Sequence, residues 1–359
     1  MECEIKPFDE LTMDDAKNVA EAMFSNRVFP VLEKMLTNPL RRELGVSAAG
    51  EIVYQDGKPV AFQGAIIRRL YLGKEPFVGV VGSTLCSRPE TSPVLLAKLM
   101  RTTIRPRGGG GLYFANTAIP ASSRMNRLLG VKGKTPESCA GVDFAVFKWG
   151  EFLNFALKGR LLRFVSVVLD FIGKLGDTFW MKRRRTDMNG RLETDIGEAF
   201  SDFWKSYLEG NVGVVASRTQ GELRWMFEDA LAGGKMVVIS LRDAEDMIHG
   251  YIAAKVLGNN RNRWMIVDWI ALRDNESVLS DLLYCLIDHL KKIEGVAWLE
   301  SVGFPMSIRM TLKRFLPFRR KLRERVFVYK AFDKKVEDAL ADPSARNWFW
   351  GGYDGDRCM

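Results

Sequence analysis

Histidine is nearly absent: the 359-residue chain carries two, His249 and His289. Ser/His/Asp and Cys/His hydrolases and most histidine-bound metal enzymes need imidazole as base or ligand, so the composition argues against those classes. Cysteine is sparse too, and its five positions (Cys3, Cys86, Cys139, Cys285, Cys358) are odd in number and scattered. No CxxC and no Cys/His cluster occurs, so neither a disulfide framework nor a structural zinc site is indicated and no metal is expected. No apolar run approaches the roughly 20 residues that a membrane span needs. The longest candidate, Phe164 to Ile172, is interrupted by Asp170. Met1-Glu2-Cys3-Glu4 is acidic and leads into no apolar core, so the expectation is a cytoplasmic protein without a signal peptide.

What is present is a globular composition, 47% hydrophobic and 27% charged, in a length that suits two domains and a connector. The net charge of +9 is clustered. Lys148 to Arg185 holds nine Lys/Arg against three acids, and Arg309 to Arg325 holds eight against Glu324 alone. Such clusters suit anionic partners, among them CoA phosphates, lipid phosphates and nucleic acid; solvated helix faces are the plain alternative. Residues 151–190 read as a basic amphipathic helical linker. Within it Leu161, Leu162, Phe164, Val165, Val168, Leu169 and Ile172 form an apolar face flanked by Lys158, Arg160, Arg163, Lys174 and Lys182 to Arg185. That face either packs between two domains or makes a peripheral contact with an anionic membrane through 158–185.

The chain repeats itself. A shift of 185 residues lays Pro120, Ser122, Arg124 and Met125 over Pro305, Ser307, Arg309 and Met310, so P-x-S-x-R-M occurs twice. The same shift lays Leu72-Gly73 over Leu257-Gly258, Arg88 over Arg273, Ser92 over Ser277 and Gly110 over Gly295. The hydrophobic pattern agrees with it. In the first copy strands are expected at Glu51–Tyr54, Pro59–Leu72, Val78–Leu85, Leu112–Ala115 and Val142–Phe147, with helices at Ser92–Thr103 and Ala121–Leu129. In the second they are expected at Lys235–Leu241, Met247–Val256, Trp264–Leu272, Ala297–Ser301 and Val326–Ala331, with helices at Glu276–Lys292 and Ser307–Phe315. Helices precede both sheets, at Met13–Phe24 and Val31–Leu44, then Ile196–Leu208 and Gly221–Ala232. The fold class is therefore α+β, with mixed sheets covered by helices.

This order resembles the GNAT superfamily of acyl-CoA N-acyltransferases, and the doubling resembles tandem GNAT proteins and Fem-type aminoacyl transferases. The resemblance implies GNAT-like domains at 1–150 and 191–335, joined by the linker at 151–190 and followed by an aromatic and acidic tail at 336–359. It also implies acetyl-CoA or another acyl-CoA as co-substrate. In the family, the loop before the long helix holds the CoA pyrophosphate on backbone N–H groups, where the helix dipole favours an anion. The corresponding residues here are Leu85, Ser87, Arg88, Thr91 and Ser92 in the first copy, and Arg273 and Ser277 in the second. Neither loop contains the family's glycines, Pro93 removes one N–H, and Asp274 and Glu276 oppose an anion in the second. Asn116 matches the family's strand-end asparagine. The family's acidic tyrosine falls near Asn126.

Acyl transfer needs a held thioester, a base for the amine proton and a donor for the carbonyl oxygen. At equivalent positions Ser83 faces Asp268 and Ala115 faces Glu300, so the candidate bases, Glu300 and Asp268, lie in the second copy. Each could equally be a strand-end carboxylate paired with arginine. His249 reads as a strand residue, and Asn347 to Asp356 as an aromatic tail crossing the domain interface. The leading expectation is an N-acyltransferase acting on a small amine-bearing or anionic substrate, such as a sugar or cell-envelope precursor. The alternatives are a non-catalytic binding protein built from degenerate units and Fem-like aminoacyl transfer. Nucleic acid is the less favoured partner, because Arg309–Arg325 lacks an interleaved stacking platform.

Overall fold

The computed structural model describes residues 2–24, 28–118, 120–133, 141–157, 188–211, 213–257, 262–304, 306–321, 326–341 and 353. The expected linker face at 158–185 lies outside them. The first half begins with β1 (Cys3–Pro7) and three helices, α1 (Met13–Phe24), α2 (Phe29–Leu36) and α3 (Pro39–Glu43). Then come β2 (Gly50–Gln55), β3 (Lys58–Leu72), β4 (Glu75–Ser87), α4 (Pro93–Thr103), β5 (Leu112–Ala118), α5 (Pro120–Leu128), β6 (Lys132–Gly133), β7 (Gly141–Val146) and α6 (Trp149–Leu157). The second half runs β8 (Asn189–Glu193), α7 (Ala199–Gly210), β9 (Val214–Ala216), α8 (Gln220–Ala232), β10 (Met236–Arg242), β11 (Ile248–Val256) and β12 (Arg263–Ala271). It continues with α9 (Glu276–Lys292), β13 (Trp298–Ser301), α10 (Met306–Phe315), β14 (Phe318–Lys321), β15 (Val326–Ala331) and α11 (Lys334–Ala341).

Local chemistry explains the boundaries. Asp56 and Gly57 both adopt positive φ, as the tight β2–β3 hairpin requires. The single helix expected over 31–44 is two, because Asn38 caps a new start by accepting from the Leu40 N–H and Pro39 follows as its first residue. Residues β1 to β4 form antiparallel pairs, and α4 carries the chain across to β5, which runs parallel to β4. In the second half β8, β10, β11 and β12 pair antiparallel, and α9 leads to a parallel β13.

The two sheets share one order of equivalent strands, but they exchange their closing strand. The first sheet runs β1-β2-β3-β4-β5-β15-β6, and the second runs β8-β10-β11-β12-β13-β7-β14. The sequence reading left Val142–Phe147 at the end of the first copy and Val326–Ala331 at the end of the second. Both strands form, yet β15 pairs with β5 (Val328 opposite Ala115) and β7 pairs with β13 (Phe144 opposite Glu300). Alternation along a strand dictates which face is buried, not which edge it joins, so the pattern was silent on this exchange. β9 adds a further crossing, with Leu70, Tyr71 and Leu72 of β3 opposite Ala216, Val215 and Val214.

The halves consequently share a core. Phe62, Ile66 and Phe114 of the first sheet lie in the same buried cluster as Trp204, Trp269 and Leu282 of the second half. The opposite face of the first sheet packs Ala65, Ile67, Val80 and Tyr113 with Met100 and Ile104, from α4 and its C-terminal end. Trp225 of α8 donates its indole N–H to the Lys34 carbonyl at 3.1 Å, and the Lys34 ammonium meets Asp229 at 2.9 Å. A chain cut by protease between 157 and 188 is expected to elute from a sizing column as one species. Elution of two separate fragments without denaturant would contradict the exchange.

Candidate functional site

In the first sheet β4 and β5 pair over three positions only, Gly79–Leu112, Val80–Tyr113 and Val81–Phe114. β4 then runs on to Ser87 against β3, while β5 runs to Ala118 against β15. A bulge lies beyond the last shared pair, where Thr84 takes φ 50 and the register with β3 slips between Phe62 and Gly64. The two strands therefore part and leave a V between their C-terminal ends. Ser83 and Thr84 stand on β4 at this opening, with their hydroxyl oxygens 3.1 Å apart. Gln63 donates to the buried Tyr113 hydroxyl at 3.3 Å beside it, and a Cβ at Gly82 would fall 2.3 Å from that same hydroxyl oxygen. Asn116 is on β5, two residues past the last pair with β4.

The loop from β4 to α4 is bound to its own unit. The Arg88 N–H and the Thr91 hydroxyl both donate to the Val60 carbonyl, at 2.8 and 3.0 Å. The Arg88 guanidinium reaches the Pro59 carbonyl and the Asn18 side chain, at 3.1 and 2.6 Å. These bonds tie the loop to β3 and α1. Leu85 and Ser87 end β4, and Ser92 caps α4 by accepting from the Val94 N–H alone.

The equivalent place in the second half is closed. Asn275 caps α9 by accepting from the N–H groups of Ser277 and Val278, at 3.0 and 3.3 Å. Glu276 lies in that first turn, and Arg273 and Asp274 both adopt positive φ in the exposed turn before it. One residue past the last β12–β13 pair, the Val267 carbonyl accepts the backbone N–H of Tyr353, at 2.8 Å. Tyr353 thus stands beside the strand end that follows the last β12–β13 pair. The repeated arginines Arg88 and Arg273 are not brought together, and Ser277 uses its N–H within the cap.

Neither predicted base is exposed. Asp268 is fully buried on β12 and accepts from Arg218 Nε at 2.9 Å and Nη2 at 2.8 Å, from the Trp269 N–H at 3.1 Å, and from the Tyr251 hydroxyl. Burial, and the Asp268 charge after it, hold the Tyr251 phenol well above its ordinary pKa, so it stays a donor. Glu300, 5% exposed on β13, accepts from Arg263 at 2.7 Å, from Arg320 at 3.0 and 3.1 Å, and from the Trp298 indole at 3.1 Å. Each carboxylate is thus engaged by at least one guanidinium. His249 lies at the start of β11 with its ring 2.6 Å from Asp243.

The sequence reading missed Arg68, Arg218 and Glu222, which meet Tyr353, a residue of the tail expected to cross the domain interface, where the two sheets face each other. The Arg68 and Arg218 guanidinium carbons lie 4.5 and 4.7 Å from the centroid of the Tyr353 ring. The Tyr353 hydroxyl donates to the Ser217 carbonyl at 2.6 Å. Glu222, in the first turn of α8, has its carboxyl raised by burial against the pull of Arg68. One signal was available: alternation along β3 puts Arg68 in line with Phe62, Gly64, Ile66 and Leu70, a cation on a core face.

Comparison with solved structures identifies the architecture. Saccharomyces cerevisiae N-myristoyltransferase with bound myristoyl-CoA superposes with a TM-score of 0.60, covering 100% of this chain and 85% of that one at 12% identity. A GCN5-related N-acetyltransferase from Anabaena variabilis gives 0.57, at 11% identity over 92% of this chain and 73% of that one. Another from Kribbella flavida gives 0.55, at 12% identity over 92% and 72%. The fold is of tandem GNAT type. No family model matches the chain, and no curated protein matches it in sequence. Among the described residues of these GNAT units, no group of three or more His, Cys, Asp or Glu is placed to hold a metal ion, and no helix is long and apolar enough to cross a membrane.

Replacing Asp268 by Asn keeps the shape and strips the charge that faces Arg218. Breaking a buried pair on one side costs about 3–5 kcal/mol. The expected outcome is a clear drop in Tm by circular dichroism, partly recovered when Arg218 is replaced by Met in the same chain. An Asp268→Asn protein as stable as the parent would show that the pair is not the anchor described.

Proposed function

We propose that this protein is an acyl-CoA N-acyltransferase that holds its thioester in the V between β4 and β5 of the first unit. The observation that carries the reading is the parting of β4 and β5 after three residue pairs, next to an α4 N-terminus whose cap engages one N–H. Unpaired strand-edge N–H groups at such a parting can take the thioester carbonyl oxygen and stabilise the charge that develops when an amine adds to the carbonyl carbon. The amine loses a proton, the C–S bond breaks, and CoA leaves as the thiol. Leu85, Ser87, Thr91, Ser92 and Asn116 then line the acyl-CoA site, and Arg88 orders the loop. Arg273 and Ser277 belong to the closed second unit and take no phosphate. Asp268 and Glu300 serve as ion-pair anchors in this reading, not as proton acceptors. The acceptor is an amine of the kind that sugars and envelope precursors carry.

The engaged carboxylates favour one other reading, a binding protein that holds acyl-CoA without transferring the acyl group. Isothermal titration with acetyl-CoA and longer acyl-CoAs separates the two when paired with a thiol-release assay on an amine panel. One acyl-CoA per chain is expected. Ser87→Asp sets a carboxylate where the pyrophosphate would lie and should weaken binding by about tenfold or more, the effect of about 1.4 kcal/mol of repulsion. Ser277→Asp should change nothing. Binding without thiol release selects the binding protein; no binding at millimolar acyl-CoA, or two equal sites, overturns the proposal.

A further inference from the structure

The V between β4 and β5 has an apex, and side chains fill the apex on both faces of the sheet. The strands stop pairing at Val81–Phe114, so Gly82 is the first residue of β4 beyond the last pair. On the face that carries α4, the Tyr113 side chain reaches across this point from β5. Its hydroxyl lies so close to Gly82 that a Cβ there would be 2.3 Å away, and Gln63 of β3 donates to it at 3.3 Å. On the opposite face Phe114 packs with Phe62 of β3 and Phe327 of β15. There a Cβ at Gly64, opposite Ser83, would fall 2.6 Å from the Met35 sulfur.

These walls leave no gap. Phe62, Val80, Val81 and Phe114 have no accessible surface, and Tyr113 has 1%. Such residues border no void wide enough for a water molecule, and a methylene chain is wider than water. An acyl tail passes the apex only if one of them moves. Tyr113 is the wall residue that spans the gap, since it starts on β5 and its hydroxyl meets β4 and β3. Burial holds its phenol well above the ordinary pKa, so it takes no proton and contributes shape.

Strand geometry gives the depth. With CoA at the α4 N-terminus, the acyl tail is the part of the thioester that points to the apex. A carbonyl held on the free strand edge one or two residues past Gly82 lies about 3–7 Å from the wall, at the rise of a strand. At about 1.5 Å per bond, that leaves room for one or two further carbons in van der Waals contact with the phenol.

We infer that the site takes short acyl groups, of the acetyl and propionyl class, and that Tyr113, positioned by Gln63, sets this limit. The inference rests on the acyl-CoA reading above and adds to it the length of the acyl group.

The test is isothermal titration of the full chain with CoA, acetyl-CoA and octanoyl-CoA, which needs no acceptor. The parent chain should bind acetyl-CoA at least about tenfold more tightly than octanoyl-CoA, the discrimination that a closed apolar wall gives. Tyr113→Leu should shrink that ratio about tenfold, through tighter binding of octanoyl-CoA. Gln63→Ala releases the ring without removing it and should move the ratio the same way by a smaller step. The ratio is the readout, because a general loss of order weakens both ligands alike. Equal affinity of the parent chain for the two acyl-CoAs overturns the inference and leaves the acyl-CoA reading standing. A Tyr113→Leu chain with parental circular dichroism and the parental ratio overturns the role of Tyr113. If that chain does not fold, an unchanged ratio in Gln63→Ala overturns it instead. Absence of binding by CoA and by both acyl-CoAs overturns the reading and the inference together.

Discussion

A guanidinium and a carboxylate with no water around either must satisfy each other completely, and Arg218 and Asp268 do so at the centre of this molecule. Arg218 follows β9, which pads the first sheet; Asp268 lies on β12 of the second. Their ion pair ties the segment after β9 to β12 across the core that the two sheets share. Exposed pairs such as Lys205–Asp202 or Lys334–Asp338 are screened by water and add little, whereas removing one member of a buried pair costs about 3–5 kcal/mol. Tyr251 and Tyr353 complete the cluster from β11 and the tail, so strands, loop and tail tyrosine all depend on one charge match.

That cluster also separates two units of common topology. At equivalent positions the first unit has Ser83 and the second Asp268. A serine hydroxyl asks for no counter-charge, and the V beside it stays open. The aspartate requires a cation, and Arg218 supplies it, with the Tyr353 ring over its guanidinium. The helix that follows shows the same contrast, with Ser92 accepting one N–H and Asn275 accepting two.

The elements of the fold were legible because each depends on neighbours in sequence. Strands β3 and β12, helices α9 and α10 and the 185-residue offset are patterns of spacing, and all of them appear at or within a few residues of the expected bounds. Short strands β1, β8 and β9 carry too few residues to show a period. The exchange of β7 and β15 was invisible for a different reason: both strands have the same alternation, and the choice between two equivalent edges is made by distant backbone. At the site, Ser87, Ser92 and Asn116 were named from the resemblance to the family's loop and strand end. The pairing of Asp268 with Arg218, and of Glu300 with Arg263 and Arg320, required knowing which arginine of many lies opposite. Tyr353 had no period at all, only a glycine-rich neighbourhood.

The strand exchange also sets an order of events on the ribosome. The slot beside β5 is filled by residues 326–331, so the first sheet keeps a bare edge until about 200 further residues have been made. The strand that would have covered it early, β7, waits for β13, which is made roughly 150 residues later, at translation rates of about 5–20 residues per second. The nascent chain therefore carries an exposed sheet edge for many seconds, the condition under which strands pair with wrong partners. Neither sheet can gain its exchanged strand pairing until the second half of this sequence has emerged.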